Sequence, residues 1–416
     1  MLKKYIKNKI KPFALPIYNF YCENKNKLKQ INVPISKLLR GGENGIRAAK
    51  YAELTNNFLR PSTSVYNGPH LKFLQLYEQI GDNILQNDIL QTTDYYKNAL
   101  ECMNLTGSYF YDVPEKIKVL AERFIKQHKG EKLNLPEQPG QSSYNQPIWV
   151  RPIKFSSCYE IIDGNHRIAR AIMRGEDYIK IFVYEKEAAL TPLQQLLLDC
   201  LWINKQKWLY QPVNADEIKD SWILVRNCED RWQMMYAFLK QQNMLSKNVQ
   251  KSYLDIGSSY GWFVKKMHDI GFNSFGMERD PFGMQVGFKV YDVNVKQIIH
   301  SDIILGLGKE QHSRKKYDVV SCLSVLHHFV LGKSSMSAEF FIKLLDSVTD
   351  QILFLDTGEE HEAAFNDKLN GWNIEFIQKW ITEHSTFSKV ICLGKDQDRK
   401  KPFEGYYNRT LFACLR

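Results

Sequence analysis

The stretch SYLDIGSSYGWFVKKMHDIGF, residues 252–272, reads as a strand, a glycine-bearing turn and a helix. Gly257 permits a tight turn and a close approach of backbone to a ligand. Gly261 opens the helix. Asp255 stands at the strand end, where its carboxylate can orient the loop and face a cationic ligand. The next strand, NSFGMERD, ends in Glu278, 23 residues after Asp255. An acid at that place in a doubly wound sheet binds ribose hydroxyls. Two carboxylate oxygens accepting from two vicinal hydroxyls match that role. From Tyr253 onward strand and helix patterns alternate, with a loop after the second strand. That alternation argues for an α/β domain with a mainly parallel sheet, whose ligands bind at the carboxyl edge. A dinucleotide site would want G-x-G-x-x-G, so that backbone could meet a pyrophosphate. Here the turn is D-I-G-S-S-Y-G, with bulky Tyr260 and no middle glycine.

The order of Asp255–Gly261, Glu278, Asp302 in HSDI and then KYDVVSCLSVLHHF resembles class I S-adenosylmethionine-dependent methyltransferases. The resemblance implies a Rossmann-like sheet over 251–416 and a cofactor held by Asp255, Gly257, Ser258, Ser259, Tyr260, Gly261, Glu278, Asp302 and Ser324. It implies that Asp302 lies beside the adenine and that Ser324–His328 border the methyl group, with His327 and His328 as catalytic candidates. The plainer readings are a helix cap for Asp255, a surface acid for Glu278 and a core position for one histidine. Methyl transfer is an in-line displacement in which the enzyme mainly aligns donor and acceptor. A hydroxyl acceptor needs a base; a phosphate or carboxylate oxygen does not. SCLSVLHHF lacks the Asn/Asp-Pro-Pro-Tyr signature of DNA amino methyltransferases. The tail segments LFLDTGEEHE, GWNIEFIQKWITEHSTF and GYYNRTLFACLR resemble methyltransferases of bacterial surface polysaccharides, including those of glycan-capping enzymes. Glu359, Glu360 and Glu362 are then substrate contacts, or else a solvated acidic loop.

In the other half, YEIIDGNHRIARAIMRGEDYIKIFVY (159–184) reads as a strand ending at Asp163, a turn at Gly164 and Asn165, a helix opened by His166 and Arg167, and a returning strand. N–H groups at a helix start beside His and Arg form a phosphate cradle. Arg167 suits bidentate pairing with phosphate oxygens. The turn resembles that of the ParB/sulfiredoxin-like nucleotide-binding superfamily. The resemblance implies an α+β domain, nucleotide contacts from Gly164, Asn165, His166 and Arg167, and ATP or another nucleotide with Mg2+. Asn165 replaces the cysteine that the reductases need, so phosphoryl transfer through Asp163 and His166 is the sharper expectation. The alternative is a structural turn in which Asp163 caps, Gly164 supplies a positive φ and Arg167 pairs with a nearby acid. Ser62, Thr63, Ser64 and His70, around the Gly68-Pro69 turn, either line an acceptor pocket or cap helices.

The 416 residues suggest several domains. The expected divisions are a basic segment 1–45, a nucleotide-binding domain 46–192, a helical connector 193–250 and the methyltransferase domain 251–416. Of the net charge of +10, residues 1–30 supply +7 through eight Lys against Glu23. A solvated leader explains this better than a DNA-binding face, so no stable DNA complex is expected. Weak contact of the leader with an anionic membrane surface is compatible with it. Eight scattered Cys without a C-x-x-C pair indicate neither a zinc site nor a disulfide framework, hence a cytoplasmic protein. The expectation is a bifunctional enzyme of bacterial surface-glycan synthesis, acting on a glycan or sugar-containing acceptor. The competing readings are a single-activity O-methyltransferase and a nucleotide-gated module on DNA.

Overall fold

The computed structural model describes residues 29–40, 64–107, 113–131, 148–183, 192–199, 207–218, 221–245, 249–365, 368–398 and 401–416. Residues 1–28 and 41–45 of the expected basic leader, Ser62 and Thr63 lie outside them. The chain forms two units, one of 1–195 with 214–222 and one of 196–213 with 223–416. Among the described residues no helix is long and apolar enough to cross a membrane.

The first unit is α+β. Its elements are β1 (Lys29–Pro34), β2 (Leu38–Arg40), α1 (Pro69–Ile80), α2 (Asn87–Thr92), α3 (Asp94–Thr106), α4 (Ile117–His128), β3 (Ile148–Pro152), β4 (Tyr159–Asp163), α5 (Asn165–Met173) and β5 (Tyr178–Val183). The sheet order is β1-β5-β3-β4-β2. Lys29–Pro34 and Leu38–Arg40 fall in the stretch expected to be a basic leader. Instead β1 pairs antiparallel with β5, and β2 parallel with β4. Apolar Ile31, Val33, Ile35 and Leu38 are the reason, since they join the core under this sheet. α5 lies between two cores: Ile168 and Ala171 face the sheet, and Ala169 faces the cluster built by α1, α3 and α4. Thr93 caps α3 through Tyr96 N–H, and Ser64 caps the short turn at Val65–Asn67.

Between the halves, α6 (Pro192–Asp199) and α7 (Glu229–Gln241) are the expected helices. Among the described residues between them there is no further α-helix, only a 3-10 turn at Asp216–Ile218. Trp208–Leu209 (β6) and Ile223–Leu224 (β7) pair as short parallel strands. Pro212 lacks the N–H a helix needs there, and Tyr210 and Gln211 are held by long-range contacts described below.

The second unit carries β8 (Ser252–Ile256), α8 (Trp262–Asp269), β9 (Asn273–Glu278), α9 (Pro281–Val290), β10 (Ile298–His300), α10 (Ile303–His312), β11 (Tyr317–Cys322), α11 (Leu326–Val330), α12 (Ala338–Val348), β12 (Thr349–Leu355), α13 (Ile374–His384), β13 (Lys389–Lys395) and β14 (Thr410–Leu415). The sheet runs β10-β9-β8-β11-β12-β14-β13, and only β14 pairs antiparallel with its neighbours. Strand periodicity sorts the side chains. Tyr253, Val319, Leu411 and Ala413 join Trp232, Phe238 and Phe263 on one face. Leu254, Val320, Phe412 and Cys414 join Phe341, Leu345 and Ile377 on the other. The stretch after β9, expected as a loop, holds α9, β10 and α10. Pro281 follows the cap Asp280, whose carboxylate accepts from Phe282 and Gly283 N–H. Gly283 and Gly287 mask the helix in the sequence because glycine lowers intrinsic helicity.

Candidate functional site

Strand order reverses between β8 and β11, so the turn after β8 stands at the switch point of the sheet, on the carboxyl edge. Gly257, Ser259 and Gly261 all have positive φ, of 73°, 53° and 80°. At Gly257 a Cβ would lie 2.9 Å from Val325 Cγ2, so backbone and the β11 loop meet only because the side chain is missing.

The N–H groups of the turn are engaged by the protein itself. Gly257 and Ser258 donate to the Met277 carbonyl at 2.9 and 3.1 Å, and Gly261 donates to the Ser258 carbonyl at 2.8 Å. Ser259 N–H donates to Glu278 Oε2 at 2.8 Å. Trp262 N–H donates to Gln211 Oε1 at 3.3 Å. Ser258 is fully buried, and its Oγ has no hydrogen-bond partner among the described residues. It packs on β9, where a Cβ at Gly276 would come 2.6 Å from that Oγ. Tyr260 is buried as well, so both side chains serve the fold of the turn.

Glu278 ends β9. Its Oε1 accepts from Arg279 and Asp280 N–H at 2.8 and 2.9 Å, beside the Ser259 bond to Oε2. A carboxylate has roughly four acceptor positions. Backbone takes three, and the one left is on Oε2. Asp302 caps α10 through Ile304 N–H at 2.9 Å, and its other oxygen lies 3.8 Å from Arg279. Asp255 does not cap α8, whose N-cap is Gly261. It is buried in β8 and accepts from Ser321 Oγ at 2.5 Å. Burial lifts its pKa to about 7, and the Ser321 bond and Arg231 only partly oppose this.

After β11, Ser324 (φ 62°) is held by Asp356, whose Oδ1 accepts from its N–H at 2.5 Å and its Oγ at 3.2 Å. Asp356 belongs to a buried ionic network that sequence reading missed. Arg226 lies 2.9 Å from Asp396, 3.2 Å from Asp398 and 3.5 Å from Asp356, and Arg231 lies 3.0 Å from Asp356. Burial alone would raise the Asp356 pKa, but Arg231 and Arg226 overcome it and hold it below the usual carboxylate value. These partners are 125 to 172 residues apart, so no local pattern announces them.

His327 is buried, its ring 4.2 Å from that of His328 and 5.1 Å from that of Phe365. Its Nδ1 has no hydrogen-bond partner among the described residues. Burial, then Arg409 and His328, push its pKa far down; burial and Lys333 lower that of His328. Both rings are neutral at neutral pH. Glu362 is tied to Arg409 through bonds of 2.7 and 2.9 Å and is buried. Glu359, also buried and accepting from Thr410 N–H, and exposed Glu360 line a cleft of about 360 Å³ with His361, Asn373, Lys395 and Asn408. It opens beyond the end of β12, on the sheet edge that also carries Gly257 and Glu278.

In the first unit, Gly164 has φ 126° and a Cβ there would meet Ile148 at 2.8 Å. Arg167 Nη2 donates to Asp163 Oδ2 at 2.8 Å, and Arg167 is buried. Tyr95 Oη and His166 Nε2 are 2.9 Å apart. The His70 ring stands edge-on to His166, their centroids 4.5 Å apart. Burial, helped by Arg40, lowers the His70 pKa to about 3. The structure thus brings His70 to the DGNHR turn, and gives Asp163 to Arg167. Among the described residues no group of three His, Cys, Asp or Glu is arranged to hold a metal ion.

No family model matches the chain, and no curated protein matches it. Several solved structures are similar over part of it. The bifunctional kinase-methyltransferase WbdD is 15% identical over 53% of this chain and 46% of its own, with a TM-score of 0.40. Magnesium protoporphyrin IX methyltransferase (ChlM) from Synechocystis PCC 6803, solved with bound SAM, is 20% identical over 45% of this chain and 79% of its own, with a TM-score of 0.32. The methyltransferase domain of bacterial CtHen1 is 17% identical over 45% of this chain and 98% of its own, at 0.32. The chain spans about half the length of the WbdD structure it matches.

Proposed function

We propose that the second unit is an S-adenosylmethionine-dependent O-methyltransferase. One observation carries this reading: the turn at the switch point has its Gly257, Ser258, Ser259, Gly261 and Trp262 N–H groups bonded to protein. A pyrophosphate needs such donors. A sulfonium cofactor, cationic at sulfur and at its amino group, has no phosphate to place there. Glu278 would take a ribose hydroxyl at Oε2, Asp302 would neighbour the adenine, and Asp255 would supply negative charge near the cationic end.

The bound cofactor supplies an activated methyl group, transferred as an acceptor oxygen forms the new C–O bond and the C–S bond breaks. The protein's part is alignment and any proton removal. His327, its pKa pushed far down, is a poor proton acceptor at neutral pH. That favours an acceptor oxygen already charged, such as a phosphate, over a sugar hydroxyl. The carboxylates and amides of the Glu359–Asn408 cleft suit the hydroxyls of a glycan acceptor. For the first unit we propose nucleotide binding at Gly164–Arg167, with phosphorylation of the acceptor as its activity. The Asp163–Arg167 pair favours a second reading, in which this unit only recognises substrate.

The test is calorimetry with S-adenosylhomocysteine, NADH and ATP on the full chain, followed by label transfer from methyl-labelled S-adenosylmethionine to phosphorylated and unphosphorylated glycans. S-adenosylhomocysteine binding in the micromolar range without NADH binding supports the methyltransferase. The reverse result sinks it. ATP binding lost in Arg167→Ala supports the nucleotide site; ATP without effect on the intact protein removes it.

A further inference from the structure

Helix α8 begins without the usual device. A helix start leaves N–H groups without intrahelical partners, which a Ser, Thr, Asp or Asn at the N-cap commonly satisfies. Gly261 holds that place with φ 80° and offers no side chain. The bond comes from elsewhere in the second unit. Gln211 lies 51 positions before Trp262; its Oε1 accepts from Trp262 N–H, and its Nε2 donates to the Ser258 carbonyl at 3.3 Å. One buried amide therefore spans the turn from its second residue to the first residue of the helix.

The segment that carries Gln211 is itself fixed. Tyr210 N–H donates to Tyr260 Oη at 3.5 Å, and Tyr291 Oη, just past α9, donates to the Pro212 carbonyl. Opposite it, β9 holds the same turn through the Met277 carbonyl and Glu278. The turn is clamped from both sides, and Gln211 is the side chain that completes the second side.

We propose that Gln211 is a positioning residue for the cofactor-binding turn, setting affinity for S-adenosylmethionine without touching the reacting atoms. The inference rests on the methyltransferase reading. An amide is suited to the place because the two backbone groups need one donor and one acceptor. Gln supplies both from a single planar group. Burying such a group without its partners is costly, so loss of the clamp loosens the turn rather than leaving it in place.

The test uses the full chain and S-adenosylhomocysteine. Gln211→Met keeps the volume and removes both bonds. It should weaken binding about tenfold, the size of effect of losing one or two hydrogen bonds. KM for S-adenosylmethionine should rise by a similar factor, with kcat and the acceptor KM little changed. Gln211→Glu adds a charge-sensitive readout. A carboxylate cannot donate to Ser258, but its protonated form can, while its other oxygen accepts from Trp262. The affinity of Gln211→Glu relative to wild type should therefore recover as pH falls from 8 to 5. Gln211→Met binding as tightly as wild type at an unchanged melting temperature overturns the proposal. If Gln211→Met does not fold, a flat ratio for Gln211→Glu across that range overturns it instead. Wild-type protein that ignores S-adenosylhomocysteine removes the underlying reading, a different result from either.

Discussion

Asp255 combines a cost to the fold with a use in the site. Its carboxyl is buried in β8, and burial raises the pKa to about 7. A cationic ligand near it favours the ionised form, so binding of S-adenosylmethionine should release a proton and tighten as pH rises through 7. For folding, the raised native pKa works in the opposite direction. The contribution is full below the unfolded value near 4 and is lost as pH rises through about 7, with a slope of up to ~1.4 kcal/mol per pH unit. Asp255→Asn keeps an acceptor for Ser321 and removes both effects. It should melt higher than wild type at pH 8, with little difference at pH 4.5, and its cofactor affinity should be lower and flat between pH 6 and 8. Calorimetry in two buffers of different ionisation enthalpy checks the proton release. Asp255, Gly257, Gly261 and Glu278 were legible in the sequence because strand end, turn and next strand end recur at short spacing. Gln211, Arg226 and Asp356 were not, because each acquires its partner only when the sheet has formed.

At the scale of elements, β8, β9, β11 and β12 follow from alternation, whereas Asp280, Asp302, Ser337 and Asn373, each bonded to the first turn of its helix, carry a signal of helix starts that alternation does not. What hid was the use of glycine inside helices. In α9, Gly287 faces the cofactor turn so closely that a Cβ would lie 2.3 Å from the Tyr260 carbonyl oxygen. That neighbour is backbone, already fixed by β9 and by the Tyr210–Pro212 segment, and cannot move cheaply. Gly287→Ala should therefore destabilise by about 2–4 kcal/mol despite the better helix propensity of alanine, and weaken S-adenosylhomocysteine binding with it. Gly308 in α10 has open space around its Cβ position. Gly308→Ala should be neutral or stabilise by up to ~1 kcal/mol. Thermal melts of the two variants separate helix propensity from turn geometry. The connector was read as helical for a related reason: its apolar residues keep helical spacing at both ends, while WLYQPVN between them is held by the β6–β7 pairing and by long-range contacts.

For the whole molecule, the division of the chain does not follow its order. Residues 196–213 belong with the second unit, 214–222 with the first, and 223–416 again with the second. A methyltransferase boundary drawn near 251 from the sequence omits α7 and the Gln211 segment. Trp232, Met235 and Phe238 cover one face of the sheet, and Gln211 bonds the turn. Two truncated chains distinguish the contributions. One beginning at Leu196 retains the clamp and should bind S-adenosylhomocysteine within about threefold of the full chain. One beginning at Asp216 keeps α7 and every strand of the sheet but loses the clamp, and should bind at least about tenfold more weakly. Both truncations carry a cost. Ile218 and Trp222, buried in the full chain as part of the first unit, lose residues 1–195 of that unit in each. Both chains should therefore associate as their concentration rises, and Ile218→Ser with Trp222→Ser should relieve this without altering affinity. Equal affinity of the two truncated chains, measured at a concentration where both are monomeric, would show that the turn holds its shape on β9 alone.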